Sequence, residues 1–244
     1  MFPLSVGQIQ SLRSFVPDRG MFSLDDRDEG NELERLAVQA FEFLCPFGTY
    51  HQPQVERSGK RRELCDILAV SRIREHEAEG IFVVQSKVAS VTAEGLARTT
   101  ERRAALIQKS IMAAIRQVKG AVRCLRAGYP ILRVDGTPIE SDPSVPELGA
   151  IEPLDLGERA KKVGHGIALV SELHADVDWQ AVARELLNAS KATRYFLHIL
   201  DLRELQQLVS RSEGRPAVLE VYLIRRWHLM AQEGHAFVRS QFSL

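Results

Sequence analysis

Two stretches in the first third of the chain have the pattern of apolar and polar positions that is typical of β-strands. They are RRELCDILAV at 61–70 and GIFVVQSKV at 80–88, and the polar connection between them ends in glycine. Both runs are largely apolar, yet they contain Asp66, Gln85 and Lys87. Burying such groups costs several kcal/mol unless they find partners. We therefore expect these three side chains to meet partners or a ligand.

Helical spacing of apolar residues marks the segments on either side of the two strands. At 31–44 apolar residues recur at i, i+3 and i+4, and the pattern predicts Asn31 as the N-cap and Glu34 as its capping-box partner. A long helix is predicted over 93–128, where Gly128 supplies the stop signal. A helix thus precedes the strand pair and another follows it.

The second half of the chain continues this alternation after a Pro-, Asp- and Gly-rich stretch at 130–160. It contains predicted strands and helices, namely strands at 164–173 and 194–202, a helix at 178–190 capped by Asp178, and helices at 202–212 and 216–234. Strands interleaved with helices predict one α/β domain over residues 1–244, with a mixed central sheet and helices on both faces.

Composition narrows the class of protein. The 244 residues include 32 basic and 32 acidic side chains, so a nucleic-acid site has to come from local clustering. We find no apolar run of about 20 residues, which predicts no membrane span, and the N-terminus lacks the pattern of a signal peptide. Cys45, Cys65 and Cys124 have no metal-like spacing, and we interpret them as reduced thiols of a cytoplasmic protein.

The polar residues of the two strands converge if the strands form an antiparallel hairpin. Pairing Val70 with Ile81 places Asp66 opposite Gln85, with Cβ atoms about 5 Å apart. Lys87 shares the face of Gln85 because side chains alternate along a strand. Oxygens of Asp66 and Gln85, with a backbone carbonyl, could then hold a hard cation such as Mg²⁺.

Another interpretation of the same residues is structural. A buried ion pair between Asp66 and Lys87, with Gln85 hydrogen-bonded beside it, would also account for the pattern. The two strands by themselves leave both interpretations open.

Three short segments together resemble a known group of enzymes. They are GNELE from Gly30 to Glu34, ELCDILAV with Asp66, and VVQSK with Gln85 and Lys87. In this order they resemble the PD-(D/E)XK nuclease superfamily, and most closely its Mrr-type, restriction-endonuclease-like branch, in which Gln replaces Glu. The resemblance covers about 30–90. It implies a restriction-endonuclease-like core over about 30–128, with an α/β elaboration over about 140–244.

The resemblance also implies roles for individual residues. Asp66 and Gln85 would be metal ligands, with assistance from the Ser86 carbonyl, and Lys87 would act on the attacking water. The implied cofactor is Mg²⁺ or Mn²⁺. Since the Gln85 amide supplies an oxygen but no charge, we expect weaker metal binding, and one ion rather than two.

An acidic side chain from the preceding helix belongs to the same implied site. Glu34 is the candidate, although its capping-box position offers a structural explanation. Glu32 and Glu63 are the nearest competitors for this role.

Basic residues cluster at two places that could contact a phosphate backbone. On the long helix, basic residues recur every seven positions at Arg102, Lys109, Arg116 and Arg123, and Lys119 lies beside this row. In the turn SGKRR, the basic residues are Lys60, Arg61 and Arg62. A solvated helix face and an ordinary polar turn are the alternative interpretations.

Other catalytic motifs are not found. The sequence has no Walker A, G-x-G-x-x-G or G-x-S-x-G pattern, so a motor for movement along DNA would have to come from a partner ATPase or helicase subunit. A homo-oligomer is the other assembly we consider. His198 is predicted as a core histidine bonded to backbone, and His165 and His174 have the same interpretation.

The expected function is a metal-dependent nuclease that hydrolyses phosphodiester bonds in DNA, in prokaryotic defence or DNA processing. The alternative is a catalytically inactive scaffold or nucleic-acid-binding subunit with the same fold, in which Gln85 marks a decayed site.

Overall fold

The computed structural model describes residues 29–71, 80–88, 99–141, 154–162, 164–173 and 176–233. The helices are α1 (Glu29–Leu44), α2 (Thr100–Arg126), α3 (Leu156–Arg159), α4 (Trp179–Thr193), α5 (Leu202–Ser212) and α6 (Pro216–Glu233). The strands are β1 (Thr49–His51), β2 (Gln54–Arg57), β3 (Lys60–Glu63), β4 (Ile67–Val70), β5 (Ile81–Lys87), β6 (Ile131–Leu132), β7 (Gly164–Val170) and β8 (Phe196–Asp201). A 3₁₀ turn spans Ile139–Ser141.

A five-stranded mixed sheet forms the centre of the molecule, in the order β1-β4-β5-β7-β8. The β1–β4 and β4–β5 pairs are antiparallel, whereas β5, β7 and β8 run parallel. One apolar layer joins the sheet to α2 and α4, and another joins it to α1, α5 and α6. This arrangement confirms the predicted α/β class with a mixed central sheet flanked by helices.

The second half of the chain supplies two of the five central strands. Strands β7 and β8 fall in the predicted elaboration, and β7 lies directly beside β5. The parallel connection from β5 to β7 passes through α2, which packs on both strands. A boundary between core and elaboration near 128–140 stays a prediction.

A second sheet corrects the predicted strand at 61–70. Strand β3 pairs with β2, and β2 pairs with β6, in an antiparallel sheet of order β3-β2-β6. The stretch 61–70 is therefore two strands in two sheets, joined by residues 64–66. The physical reason is that all of β3 is charged and exposed, whereas all of β4 is buried, and one straight strand cannot meet both conditions.

Two other predicted boundaries need correction. Helix α1 already includes Glu29, so Asn31 lies inside the helix and is not its N-cap, and Glu34 is not a capping-box residue. Helix α2 begins at Thr100 with Thr99 as N-cap, and its side chain accepts a hydrogen bond from Arg102 N. The predicted helical residues 93–98 lie outside the described part of the chain. The cap of α4 at Asp178 is confirmed.

The segment between α1 and β3 contains two prolines and two glycines, and it forms the short strands β1 and β2. Strand β1 pairs with β4 and β2 pairs with β6 at a distance along the chain, whereas β2 also pairs with β3 in a tight hairpin. None of the helices in the described ranges is long and apolar enough to cross a membrane.

Candidate functional site

The register of the β4–β5 hairpin brings Asp66 and Gln85 together. Val70 pairs with Ile81 and Ile67 with Val84, as predicted. Asp66 comes immediately before β4 and continues this register, so it lies beside Gln85. The amide nitrogen of Gln85 donates a hydrogen bond to Asp66 Oδ1.

Ser86 completes the contacts of the Asp66 carboxylate. Its backbone N–H and its hydroxyl donate to Asp66 Oδ2 over 2.6 and 2.5 Å. We call Asp66, Gln85 and Ser86 the carboxylate cluster. Asp66 and Gln85 are each 3% exposed, and a carboxylate is tolerated at such depth because donors compensate its charge.

A second carboxylate, that of Glu63 at the end of β3, touches the cluster. Although Glu63 is exposed as a residue, partial loss of water around its carboxyl group raises its pKa, and a hydrogen bond with Asp66 and the negative charges of Asp66 and Glu34 raise it further. The Lys87 ammonium opposes this rise in pKa. Glu34, Glu63, Asp66 and Lys87 thus share one electrostatic neighbourhood, although they come from α1, β3, the start of β4 and the end of β5.

The three candidates for the acidic side chain that joins the implied site, Glu32, Glu34 and Glu63, differ in their partners. Glu34 Oε2 accepts from Gln52 Nε2 over 3.2 Å and lies 3.3 Å from His51 Nε2. Glu32 is engaged instead by the guanidinium of Arg35 on the same helix, over 2.8 and 2.5 Å. The structure therefore brings Glu63 to Asp66, places Glu34 close enough to act on Glu63, and leaves Glu32 in a surface pair with Arg35 on α1.

The purely structural interpretation is only partly met. Gln85 is hydrogen-bonded to Asp66 as that interpretation requires. No salt bridge joins Asp66 to Lys87 within the described ranges. Lys87 is half-buried at the end of β5, where its charge acts on Glu63.

The oxygen donors of the site fit a hard cation. No group of three or more His, Cys, Asp or Glu side chains suited to a metal is found in the part of the chain that the structure describes. Two carboxylates, Asp66 and Glu63, are nevertheless in contact, and a cation would relieve their repulsion. The Gln85 amide would add a third oxygen ligand for the cation if its terminal group rotated so that the oxygen and nitrogen exchanged positions.

A cleft of about 300 Å³ opens beside the cluster, between α2 and the β2–β3 hairpin. Glu63 and Gln85 belong to its lining and connect it to the carboxylate cluster. The remaining lining residues come from the hairpin and from α2: Val55, Arg62, Leu64, Gln117, Gly120, Ala121 and Cys124.

The predicted basic residues lie at different distances from this cleft. Arg116 and Arg123 are exposed on the half of α2 that contains the lining residues, and Lys119 is half-buried there. Arg102 lies about four helical turns before Arg116, with Lys109 between them. The basic residues of the turn lie in β3, all of them exposed: Lys60, Arg61 and Arg62.

Two buried histidines form a feature that sequence reasoning found only in part. His165 Nδ1 lies 3.2 Å from His198 Nε2 between neighbouring strands β7 and β8. His198 is buried as predicted, but its partner is this ring and not the backbone. Burial lowers the pKa of His165 to about 4 and also lowers that of His198. His174 lies outside the described residues.

Comparisons with known proteins are sparse. No protein-family model matches the chain, and no curated protein matches it. A search of solved structures finds the small subunit of the heterodimeric restriction endonuclease R.BspD6I, with a TM-score of 0.41 and 11% identity, over 96% of this chain and 98% of that chain. This similarity transfers no residue role to the present chain.

Proposed function

We propose that the protein is a metal-dependent nuclease that hydrolyses phosphodiester bonds in DNA. The observation that carries the proposal is the meeting of two carboxylates, Asp66 and Glu63, with the amide of Gln85 at a cleft. Lys87 supplies a positive charge in the same neighbourhood. Acidic oxygens beside one ammonium suit the chemistry of phosphate hydrolysis.

Asp66 and Gln85, with the Ser86 carbonyl, would hold Mg²⁺ or Mn²⁺. A bound divalent ion supplies positive charge that stabilises the phosphate during hydrolysis. Because Gln85 contributes no charge, this ligand set binds an ion more weakly than one with a second ligating carboxylate.

The protein's own side chains then hold water and neutralise charge. Lys87 donates hydrogen bonds to the attacking water or to a phosphate oxygen. Glu34 is held in place by Gln52 and His51, and its negative charge opposes the release of cations from the site. Burial of the cluster keeps competing water away from Asp66.

The DNA strand would run along the cationic surface beside the cleft. Its phosphates would be neutralised by Arg116, Lys119 and Arg123 from α2 and by the basic residues of β3. A partner subunit that moves or unwinds DNA, or a second copy of this chain, would complete the assembly in the cytoplasm.

A specific observation favours the alternative of an inactive scaffold. Three donors from Gln85 and Ser86 already satisfy the Asp66 carboxylate. A fully bonded network can serve as a purely structural element of a core. The inactive alternative keeps nucleic-acid binding but requires no metal and no cleavage.

Cleavage of supercoiled plasmid and of single-stranded oligonucleotides with Mg²⁺, with Mn²⁺ and with EDTA tests the proposal. We expect cleavage with either metal and none with EDTA. The matched control is Asp66→Asn, purified in parallel. Thermal melting should show that this variant is folded, and it should not cleave DNA. Equal cleavage by Asp66→Asn, or none by wild type, would contradict the nuclease proposal.

A further inference from the structure

The cleft beside the carboxylate cluster has a wall composition that points to a particular ligand. Val55, Leu64 and Ala121 give it apolar walls, and Arg62 and Gln117 add hydrogen-bonding groups. Its volume of about 300 Å³ is at the lower end of the range of small-ligand pockets, about 300–1,000 Å³. A cleft with apolar walls and a few polar groups suits the chemistry of a heteroaromatic ring with polar edges.

Among the described residues, Arg62 is a cation of this cleft that has no carboxylate partner. Its guanidinium nitrogen Nη2 contacts Cys124 Sγ over 3.6 Å, a weak acceptor. No ion pair engages it in the described part of the chain, whereas its neighbour Arg61 lies 3.6 Å from Glu56. Arg62 is therefore available to a phosphate, or to stack on a base.

Gly120 keeps the α2 side of the cleft open. It is exposed within the helix, and a Cβ atom placed there would meet nothing within 4 Å. Glycine inside a helix costs about 0.5–1 kcal/mol relative to alanine. The open space at Gly120 thus offers room for a ligand at a position where the helix itself would favour a side chain.

We propose that this cleft binds one unpaired nucleotide of a nucleic-acid strand. The base packs on the apolar walls and contacts Gln117, while Arg62 binds the adjoining phosphate. In a paired duplex the bases are stacked, so a base can enter such a cleft only after it leaves the stack.

This inference rests on the proposed function and names its substrate class. If the cleft holds an unpaired nucleotide, the strand beside Asp66 is single-stranded or frayed DNA and not a continuous duplex. The carboxylate of Glu63 at one end of the cleft repels phosphate in the absence of a cation. The uncharged base is therefore the part of the nucleotide that enters under metal-free conditions.

A thiol placed at the opening reports occupancy. Gly120→Cys introduces an exposed thiol, and its maleimide reaction rate is measured in EDTA with a single-stranded oligonucleotide or with a blunt duplex of the same sequence. We expect at least a tenfold slowing by the single strand and little by the duplex. Ala192→Cys, at an exposed position of α4, should react at the same rate throughout. Equal slowing by both nucleic acids, or by neither, overturns the proposal.

Filling the cleft gives an independent measurement. Gly120→Phe should weaken single-strand binding about tenfold by fluorescence anisotropy, whereas Ala192→Phe should bind like wild type. If wild type cleaves DNA while Gly120→Phe binds and cleaves single strands normally, the cleft proposal fails and the nuclease proposal survives. If the single strand protects Gly120→Cys but no metal supports cleavage, the cleft proposal stands and the nuclease proposal fails.

Discussion

The central sheet buries two polar groups, the carboxylate cluster and the histidine pair, and they differ in how they are satisfied. Asp66 is 3% exposed and each of its oxygens accepts at least one hydrogen bond. His165 and His198 are buried as deeply, but among the described residues they bond only to each other. In the part of the chain that the structure describes, His165 Nε2 and His198 Nδ1 have no partner.

The surroundings of the two groups differ in the same sense. The carboxylate cluster adjoins a cleft with a second carboxylate and an ammonium nearby. In the histidine pair, the His165 ring lies between aromatic rings, with its centroid 5.4 Å from that of Phe82 and 5.8 Å from that of Phe196. Burial of polar side chains therefore does not by itself select a candidate site, and the carboxylate cluster is the candidate because charged groups lie next to an opening.

The largest expected effect is on the rate of DNA cleavage, and it belongs to the surroundings of the carboxylate cluster and not to the histidine pair. Lys87→Ala removes a positioned ammonium, and loss of such a group typically lowers the rate about 10²–10³-fold. The fold should survive because the donors to Asp66 remain. Plasmid cleavage under single-turnover conditions measures the effect, and the exposed Lys191→Ala on α4 is the matched control. Undiminished cleavage by Lys87→Ala would place the active site elsewhere.

The next effect concerns acid stability and belongs to the histidine pair. The pKa of His165 falls from 6.5 to about 4 on burial, so the unfolded chain binds more protons between these pH values. The free energy of unfolding should then decrease as pH falls from 6.5 to 4, by up to about 3 kcal/mol. The pKa of His198 is lowered by burial, by His165 and by Arg226, so it contributes in the same direction.

Removing one ring tests this assignment. His165→Phe keeps an aromatic side chain between Phe82 and Phe196 but cannot titrate. Its free energy of unfolding, measured by urea denaturation at several pH values, should depend less on pH between 6.5 and 4 than that of wild type. Cleavage at neutral pH should persist in any variant that remains folded. If the free energy of unfolding depended equally on pH in wild type and His165→Phe, the acid sensitivity would arise from other titratable groups.

A smaller effect distinguishes an open metal site from a closed structural network. Gln85→Glu removes a donor to Asp66 and adds a like charge, so it should lower the melting temperature without metal. Added Mg²⁺ should raise the melting temperature of this variant more than that of wild type, because the added carboxylate lowers the Kd for the ion. A ligand at 100 times its Kd stabilises the folded protein by about 2.7 kcal/mol. Gln180→Glu, exposed on α4, should show no such gain. Metal-insensitive melting of both wild type and Gln85→Glu would support the scaffold.

The smallest effects concern phosphate contacts. Because Arg116 and Arg123 lie on the cleft half of α2, each alanine variant should weaken DNA binding and reduce the salt slope by about 1. Arg102→Ala should have less effect, since it lies about four turns away. Arg184→Ala on α4 serves as a control. Equal salt slopes for all variants would indicate that α2 is a solvated surface.

Local patterns predicted the parts of the fold that depend on neighbouring residues. The strand β5, the Val70–Ile81 register and the Asp178 cap are confirmed because each follows from contacts within a hairpin or one helical turn. The site prediction at Asp66 and Gln85 depended on this same hairpin, and the hydrogen bond between them has the predicted register.

The tertiary structure decided what depends on residues far apart in the chain. Short strands such as β1 and β2 carry little periodicity, so their existence depends on partners supplied by β4 and β6. His165 meets His198 only because β7 and β8 are neighbours in the sheet. The cleft arises where α2 passes the β2–β3 hairpin. A sequence pattern encodes which face of an element is buried, whereas the identity of what packs against that face is set by the fold.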